Sequence, residues 1–445
     1  MKRLLPVFLL FLSGLCYGRT TLELTLGETV AAAINHSPAL KALKAGLDSK
    51  RAGASSLESL LYPRVLLEGS FKYQSEVQEM TLALPGADKT VKLGDNWNMS
   101  AGPSAYYTLF DKGADEKNYK ASLASLKAAE KEYEAEKRSV ELAARMAYFD
   151  LKLALERISF LEDAVSVVKS QYEEIKLKSK AGLSARQDEL RAHQELNSRL
   201  IDLINARSAF ARSFRELAAL CGKWGEVDPA AALPAGAGSA AGTPATLYIS
   251  LEPAEELLKK IFLSGKTVDG HPSLLSMEES VRALRLLSES LGAGLWPRAN
   301  LALRSSLDYP DGTKTSSHWQ NSASLSISVP LFERGKTKSR EEEQKLKAFS
   351  AEELKNGWKN ELEKGWLNAK DRLLSLLSRK KLMAENAAES EEVAGLVYAS
   401  YRSGSSTYLE VQSANLKALE SRLLKAENDI SALAQTAVLA ALEGE

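Results

Sequence analysis

The chain has 445 residues, 44% of them hydrophobic and 26% charged, with 58 basic residues against 58 acidic ones. The balance offers no basic excess for nucleic-acid binding. Two cysteines are too few for a disulfide framework, and no later apolar run reaches the ~18 residues of a membrane helix.

Residues 1–18 read as a secretory signal. Lys2 and Arg3 precede an apolar core from Leu4 to Leu12, and Cys16 and Gly18 are the small residues before a cut. Cleavage after Gly18 removes two basic residues and leaves 56 against 58 acidic ones, a net charge of −2. A lipid anchor on Cys16 is the alternative start, although Leu15 stands where a small residue is expected. Only Cys221 then remains as a thiol.

Thr25-Leu26-Gly27-Glu28 is a capping box that opens a helix through Ile34. His36-Ser37-Pro38 stops it, and Pro38 suits the first turn of a second helix that ends before Pro63. From Arg64 the period changes to two. Val65, Leu67, Gly69, Phe71 and Tyr73 alternate with Leu66, Glu68, Ser70, Lys72 and Gln74, as a strand with one apolar face does. A second alternating run covers Trp97 to Leu109. The polar stretch between them, Ser75 to Asn96, is expected as a surface loop.

From Leu109-Phe110-Asp111-Lys112-Gly113 the period becomes helical. Leu151, Leu155, Ile158, Leu161, Val165, Val168, Tyr172 and Ile175 step by three or four, near the 3.5 period of a coiled-coil seam. The helix breaks at Gly182, and another is expected from Ser184 to Leu220. Glu226 to Ser250, rich in proline, glycine and alanine, reads as a linker, and a helix is expected around Ala254 to Leu263.

The plan then repeats. His271-Pro272, a helix, and Trp296-Pro297 precede alternating runs at Ala299–Asp308 and Ala323–Val329, separated by a loop at Tyr309–His318. Leu331-Phe332-Glu333-Arg334-Gly335 opens a second long helix with Leu346, Phe349, Leu354, Trp358, Leu362, Trp366, Leu373, Leu376 and Leu377 in its seam. Gly113 and Gly182 lie 69 positions apart, as do Gly335 and Gly404. Pro38 and Pro63 lie 25 apart, as do Pro272 and Pro297. Matched spacing implies an internal duplication: residues 19–225 as first repeat, 226–250 as linker, 251–445 as second repeat. A helix from Thr407 to Leu442 closes the chain.

The expected fold class is mainly α with a small β part, two long helical hairpins and four strands per chain. The wet faces of the strands are rich in serine, the opposite faces have no second sheet to cover them, and lipid is the economical cover. Four strands cannot close a barrel, small barrels need at least eight, and an open edge in lipid leaves backbone groups unpaired, so further copies are expected to supply the missing strands.

No catalytic, cofactor-binding or metal site is expected. The four histidines are unpaired at ligand spacing, and Gly236-Ala237-Gly238 lacks the strand and helix of a dinucleotide site. His36 and His271 stand beside helix-starting prolines, where turn chemistry explains them. The candidate constellation is at the hairpin turns, Gly182-Leu183-Ser184 and Gly404-Ser405-Ser406. Asp188 and Glu410 each stand six positions further on, as helix-starting acids or as the lining of a narrow end. Ser184…Gln187 and Thr407…Glu410 both read as capping boxes.

The order of elements, with His36-Ser37-Pro38-Ala39-Leu40, Tyr62-Pro63-Arg64, Trp296-Pro297-Arg298, the segment from Val329 to Gly335 and Tyr401-Arg402-Ser403-Gly404, resembles the outer membrane efflux protein (TolC) family over nearly the whole mature chain. The resemblance implies a homotrimer with a 12-stranded barrel in outer membrane lipid and an α-barrel tunnel across the periplasm. It also implies docking of the tip turns to a periplasmic adaptor, and a partner inner-membrane pump of the RND or ABC type. Acids near the periplasmic tip match Asp188 and Glu410. Ser413 stands where some members carry a further acid, and Ser406 where some carry a basic gate residue. The competing expectations are a secreted coiled-coil structural or adhesive protein, which would not need the four strands, and an exported enzyme, for which no site stands out.

Overall fold

The computed structural model describes residues 21–84, 86–222, 232–234, 247–251 and 267–444. The signal segment expected at 1–18 and the helix expected at 254–263 lie outside these. The helices are α1 (Leu26–His36), α2 (Pro38–Glu58), α3 (Ala114–Lys180), α4 (Arg186–Cys221), α5 (Pro272–Ala293), α6 (Lys336–Arg402) and α7 (Tyr408–Leu442). The strands are β1 (Thr21–Leu24), β2 (Arg64–Tyr73), β3 (Glu79–Leu84), β4 (Ala87–Lys92), β5 (Trp97–Phe110), β6 (Ala232–Pro234), β7 (Leu247–Leu251), β8 (Arg298–Tyr309) and β9 (His318–Ser328).

The duplication is written into the backbone. Both α3 and α6 have 67 residues, about 100 Å at 1.5 Å per residue. Each begins after a left-handed pair, Lys112-Gly113 and Arg334-Gly335, and ends at a left-handed glycine, Gly182 and Gly404. The end bonds correspond position for position: Leu183 N donates to Lys178 O and Ser405 N to Ser400 O, while Gly182 N donates to Ser179 O and Gly404 N to Tyr401 O. This six-to-one and five-to-two pattern satisfies carbonyls that the helix end leaves open, and glycine takes the left-handed position at least cost.

Contacts divide the chain into two compact units. One comprises Met1–Leu40, Glu136–Val268 and Leu362–Glu445, the other Lys41–Ala135 and Asp269–Glu361. The first is a helical body whose core joins both hairpins. Leu151, Ile158 and Leu161 meet Phe210 and Phe214 of α4, Leu373 and Leu376 of α6, and Ile430 and Leu433 of α7. These are the seam positions that the 3.5 period marks, and burying one such side chain stabilises by about 1.5–3 kcal/mol. The last turns of the hairpins form a second cluster around Ile175, Ala192, Tyr408 and Val411.

Glu226–Ser250 does more than link. Its strands β6 and β7 lie parallel to β1 in the order β1-β7-β6, with Tyr248 opposite both Thr21 and Leu233. The proline and glycine content of the segment hid the apolar alternation of Leu247 to Leu251. Likewise the expected loop Ser75–Asn96 contains the β3–β4 hairpin, paired from Glu79↔Lys92 to Leu84↔Ala87.

The second unit holds the main sheet, antiparallel in the order β2-β5-β8-β9. Helix α5 packs through serine hydroxyls that donate to backbone carbonyls, Ser276 to Ala128 at 2.8 Å, Ser290 to Ala114 at 2.8 Å and Ser288 to Glu341 at 3.1 Å. His271 caps this helix, its Nδ1 accepting from Ser273 N at 3.2 Å, which is the turn chemistry expected of it.

Candidate functional site

Two constellations stand out, one in each unit. In the sheet, register sorts the residues by chemistry. Val65↔Ala105↔Leu303↔Ala323 and Phe71↔Met99 lie on one face, while Ser100↔Asp308, Ser104↔Arg304↔Ser322 and Thr108↔Asn300↔Ser326 lie on the other. Every Asp, Glu, Lys and Arg of the four strands (Arg64, Glu68, Lys72, Arg298, Arg304 and Asp308) is on the second face. Four of them are hydrogen-bonded: Ser100 Oγ donates to Asp308 at 2.6 Å, Arg304 to Ser100 at 2.5 Å, Tyr106 to Glu68 at 2.9 Å, and Arg298 to Asp115 of α3 at 3.1 Å.

The first face carries no Asp, Glu, Lys or Arg, and its polar pair is Ser305, which donates to Asn321 at 2.7 Å. Val65, Leu67, Phe71, Leu325 and Ile327 are 60–85% exposed, an apolar surface too continuous for a sheet that faces water. Trp97 stacks against Phe71 and Tyr73 at ring separations of 4.8 and 4.7 Å at one end of its strand. β9 stops at Ser328, so Ile327 lies near one end, and the middle of the strand pair falls at Leu303 and Ala323. Strands β2 and β9 are the free edges.

In the helical unit the hairpin tips are tied together by polar groups that periodicity does not single out. Glu195 is 3% exposed, and its two carboxylate oxygens accept from Arg199 Nε at 2.9 Å and Gln412 Nε2 at 2.6 Å. Asn415 donates to Gln171 at 2.9 Å. Glu174 accepts from Tyr398 at 2.6 Å and pairs with Arg402 at 3.2 Å and Lys178 at 3.0 Å. The Tyr398 hydroxyl, with Lys178 and Arg402 beside it, holds the Glu174 carboxyl below its ordinary value. Burial pushes the Tyr408 hydroxyl up, and among the described residues that hydroxyl has no hydrogen-bond partner.

The two acids expected at the tip differ in setting. Glu410 is exposed and completes a capping box, accepting from Thr407 N at 3.0 Å while Thr407 Oγ1 accepts from Glu410 N. Asp188 is half-buried in the first turn of α4 and close enough to Tyr408 to act on its charge. Ser184 is not the cap expected of it: Ala185 occupies the N-cap position without a side-chain bond. The carboxylate that sequence reading passed over is its neighbour Glu189, buried against Arg186 at 2.6 Å. Of the turn residues, Leu183 is 79% exposed, and Ser406 Oγ donates to Ser400 at 2.9 Å.

The Glu174 bonds have a pH consequence. A carboxyl held low contributes stability that is present above its ordinary value of 4.5 and is lost as pH falls through the lower folded value. Spin labels at Leu183 and Ser405 should therefore give a narrow distance distribution at pH 7 that broadens as the pH falls from 4.5 through the lower folded value. Tyr398→Phe with Glu174→Gln should broaden it at pH 7. An unchanged distribution in that variant removes these bonds from the account of the tip.

A family model described as outer membrane efflux protein matches residues 29–223 and 263–445. Among solved structures, the chain is similar to the outer-membrane channel OprN, at 19% identity over 94% of this chain and 90% of that one, TM-score 0.74. It is similar to the outer membrane protein VceC of Vibrio cholerae, at 17% identity over 94% and 96%, TM-score 0.73. It is also similar to the outer membrane channel CmeC of Campylobacter jejuni, at 17% identity over 94% and 85%, TM-score 0.74. At these identities the likeness is one of fold. No curated protein matches the chain.

Proposed function

The chain belongs to the outer membrane efflux protein family, and from that premise we propose that it is the exit duct of a tripartite efflux or type I secretion system. The family is one of outer membrane channels and not of enzymes. In the proposed assembly three copies join β9 of one to β2 of the next, giving twelve strands in outer membrane lipid, and the paired hairpins extend as a tunnel into the periplasm. The observation that carries this reading is the sheet. All its charges share one face, its other face is apolar and uncovered, and its two edges are open. An open edge in lipid leaves backbone groups unpaired at several kcal/mol each, and closure by further copies relieves it. Exposed Leu346, Phe349 and Leu354 in the N-terminal third of α6 supply apolar surface for the same assembly.

The tip turns Gly182-Leu183-Ser184 and Gly404-Ser405-Ser406 are the proposed contact with a periplasmic adaptor, which joins the duct to an inner-membrane pump of the RND or ABC type. The repeats 19–225 and 251–445, joined through 226–250, each supply one hairpin and two membrane strands. The mature form is proposed to lack residues 1–18.

The test of the duct is conductance. Purified protein should be trimeric in detergent and should form discrete ion-conducting channels in planar bilayers. A stable, fully folded monomer by light scattering and circular dichroism overturns the reading. Asp188 and Glu410 are proposed to line the narrow end, six carboxylates in three copies, and to favour cations as charged rings do. Asp188→Asn with Glu410→Gln should lower cation selectivity severalfold while trimers persist. Unchanged selectivity and conductance would make both acids helix-starting residues only.

A further inference from the structure

We propose that Arg334, Lys336 and Lys338, with Leu331 and Phe332 beside them, form a docking surface for anionic phospholipid headgroups that the first repeat does not have. The inference rests on the reading of the main sheet as membrane-spanning.

The last strand, β9, ends at Ser328, and α6 begins at Lys336. Between them stand Leu331 and Phe332, 94% and 87% exposed, the two most exposed large hydrophobic residues among those described. Arg334, Lys336 and Lys338 follow and are all exposed. None of the three makes an ion pair within 4 Å among the described residues, whereas Glu333 is occupied by the hydroxyl of Thr337.

The duplication supplies an internal control. The first repeat has the same Leu109-Phe110, the same glycine at Gly113 and a left-handed residue before it, Lys112 where the second has Arg334. The junction geometry therefore does not require the cations at Lys336 and Lys338, where the first repeat has Ala114 and Glu116. At the start of α3 the charges are mixed and internally used: Asp111 accepts from Gly113 N at 2.9 Å and Asp115 N at 2.8 Å, Asp115 pairs with Arg298 at 3.1 Å, and Lys117 pairs with Glu289 at 3.3 Å. Lys112 lies over the Trp296 ring at 4.5 Å. At the start of α6 no acid stands in the first turn. Cations there oppose the helix dipole and weaken the helix slightly, so helix formation does not explain them.

An external anion does. Leucine and phenylalanine beside a basic cluster, next to a membrane strand, suit the boundary between acyl chains and headgroups, with the long basic stems reaching outward to phosphate. Basic residues near a membrane surface are attracted by its anionic lipids. The occupant fitted by this charge and this position is a phosphodiester headgroup of net negative charge.

The test uses the full-length protein in detergent micelles, titrated with phosphatidylglycerol and separately with phosphatidylcholine, with bound lipid counted by native mass spectrometry. The wild type should prefer phosphatidylglycerol. The variant R334Q/K336Q/K338Q should lose about a hundredfold in phosphatidylglycerol affinity, at about fivefold per basic residue, with phosphatidylcholine binding unchanged. A variant with the wild-type preference overturns the proposal, as does competition by inorganic phosphate at equal concentration, which would mark a simple anion site. The variant L331S/F332S separates lipid from a second copy. Weaker lipid binding with trimers intact supports the proposal, and loss of trimers means a neighbouring chain covers these residues. Failure of the wild type to float with liposomes would sink the membrane reading itself. Flotation without headgroup preference sinks only this inference.

Discussion

Leu303→Arg should abolish assembly in the membrane, while arginine one position along is already present and harmless. Leu303 is on the apolar face at the middle of β8, opposite Ala105 and Ala323. Arg304 is on the other face, bonded to Ser100 and beside Asp308. A cation on the lipid side of a barrel strand costs about 2–4 kcal/mol near the midplane and ~0–1 near the interfaces. Three copies triple the penalty for the assembly. Ser324→Arg, on the polar face of β9, should leave trimers intact and alter conductance only. Heat-modifiable migration on gels and the fraction of trimer recovered from membranes measure both. Single cysteines at 325 and 327 should resist a water-soluble reagent that labels 324 and 326. Equal labelling, or a Leu303→Arg protein that assembles normally, would place the sheet in water.

Glu195→Ala should loosen the pairing of the two hairpins by about 3–5 kcal/mol, the usual cost of breaking a buried ion pair by removing one partner. Glu195 sits on α4 and reaches both Arg199 of its own helix and Gln412 of α7. Arg199 is 11% exposed and keeps only Asp202, so its charge is left half-answered. Glu195→Gln keeps the shape and should cost less. The distance distribution between spin labels at Leu183 and Ser405 reports the pairing. The alanine variant should broaden it, and its channels should conduct more. A wild-type distribution in Glu195→Ala would show that the apolar tip cluster around Ile175 and Val411 suffices.

These two predictions draw on different kinds of knowledge. Leu303 and Arg304 are assigned to opposite faces by a period of two, which any register of the strand preserves. Glu195 is invisible to that reasoning. In the sequence it is one glutamate among many on a charged helix, and only the approach of α7 from 217 positions away gives it Gln412.

The same division runs through the molecule. The two 67-residue helices, their left-handed starts and ends, and the four long strands follow from local rules. Apolar period, proline and glycine act within a few residues, and the duplication states each rule twice. Thr407 and Glu410 form the box their spacing describes because both partners lie in one turn. Ser184 fails at the corresponding place because the backbone gave the cap position to Ala185, a one-residue choice that spacing alone does not resolve.

What the tertiary structure decided is pairing at a distance. The strand β7 exists by lying beside β1, more than 200 positions earlier, and β6 by lying beside β7, where short runs gain hydrogen bonds they could not hold alone. The neighbour order β2-β5-β8-β9 is also a matter of contact, since any strand with one apolar face could pair with any other. Glu174 with Tyr398, Gln171 with Asn415 and Glu195 with Gln412 arise the same way, between helices that each look complete in sequence. Local propensity fixes what a segment becomes, and burial of polar groups fixes which segments meet, because a buried donor without an acceptor costs more than a wrong neighbour on an apolar seam.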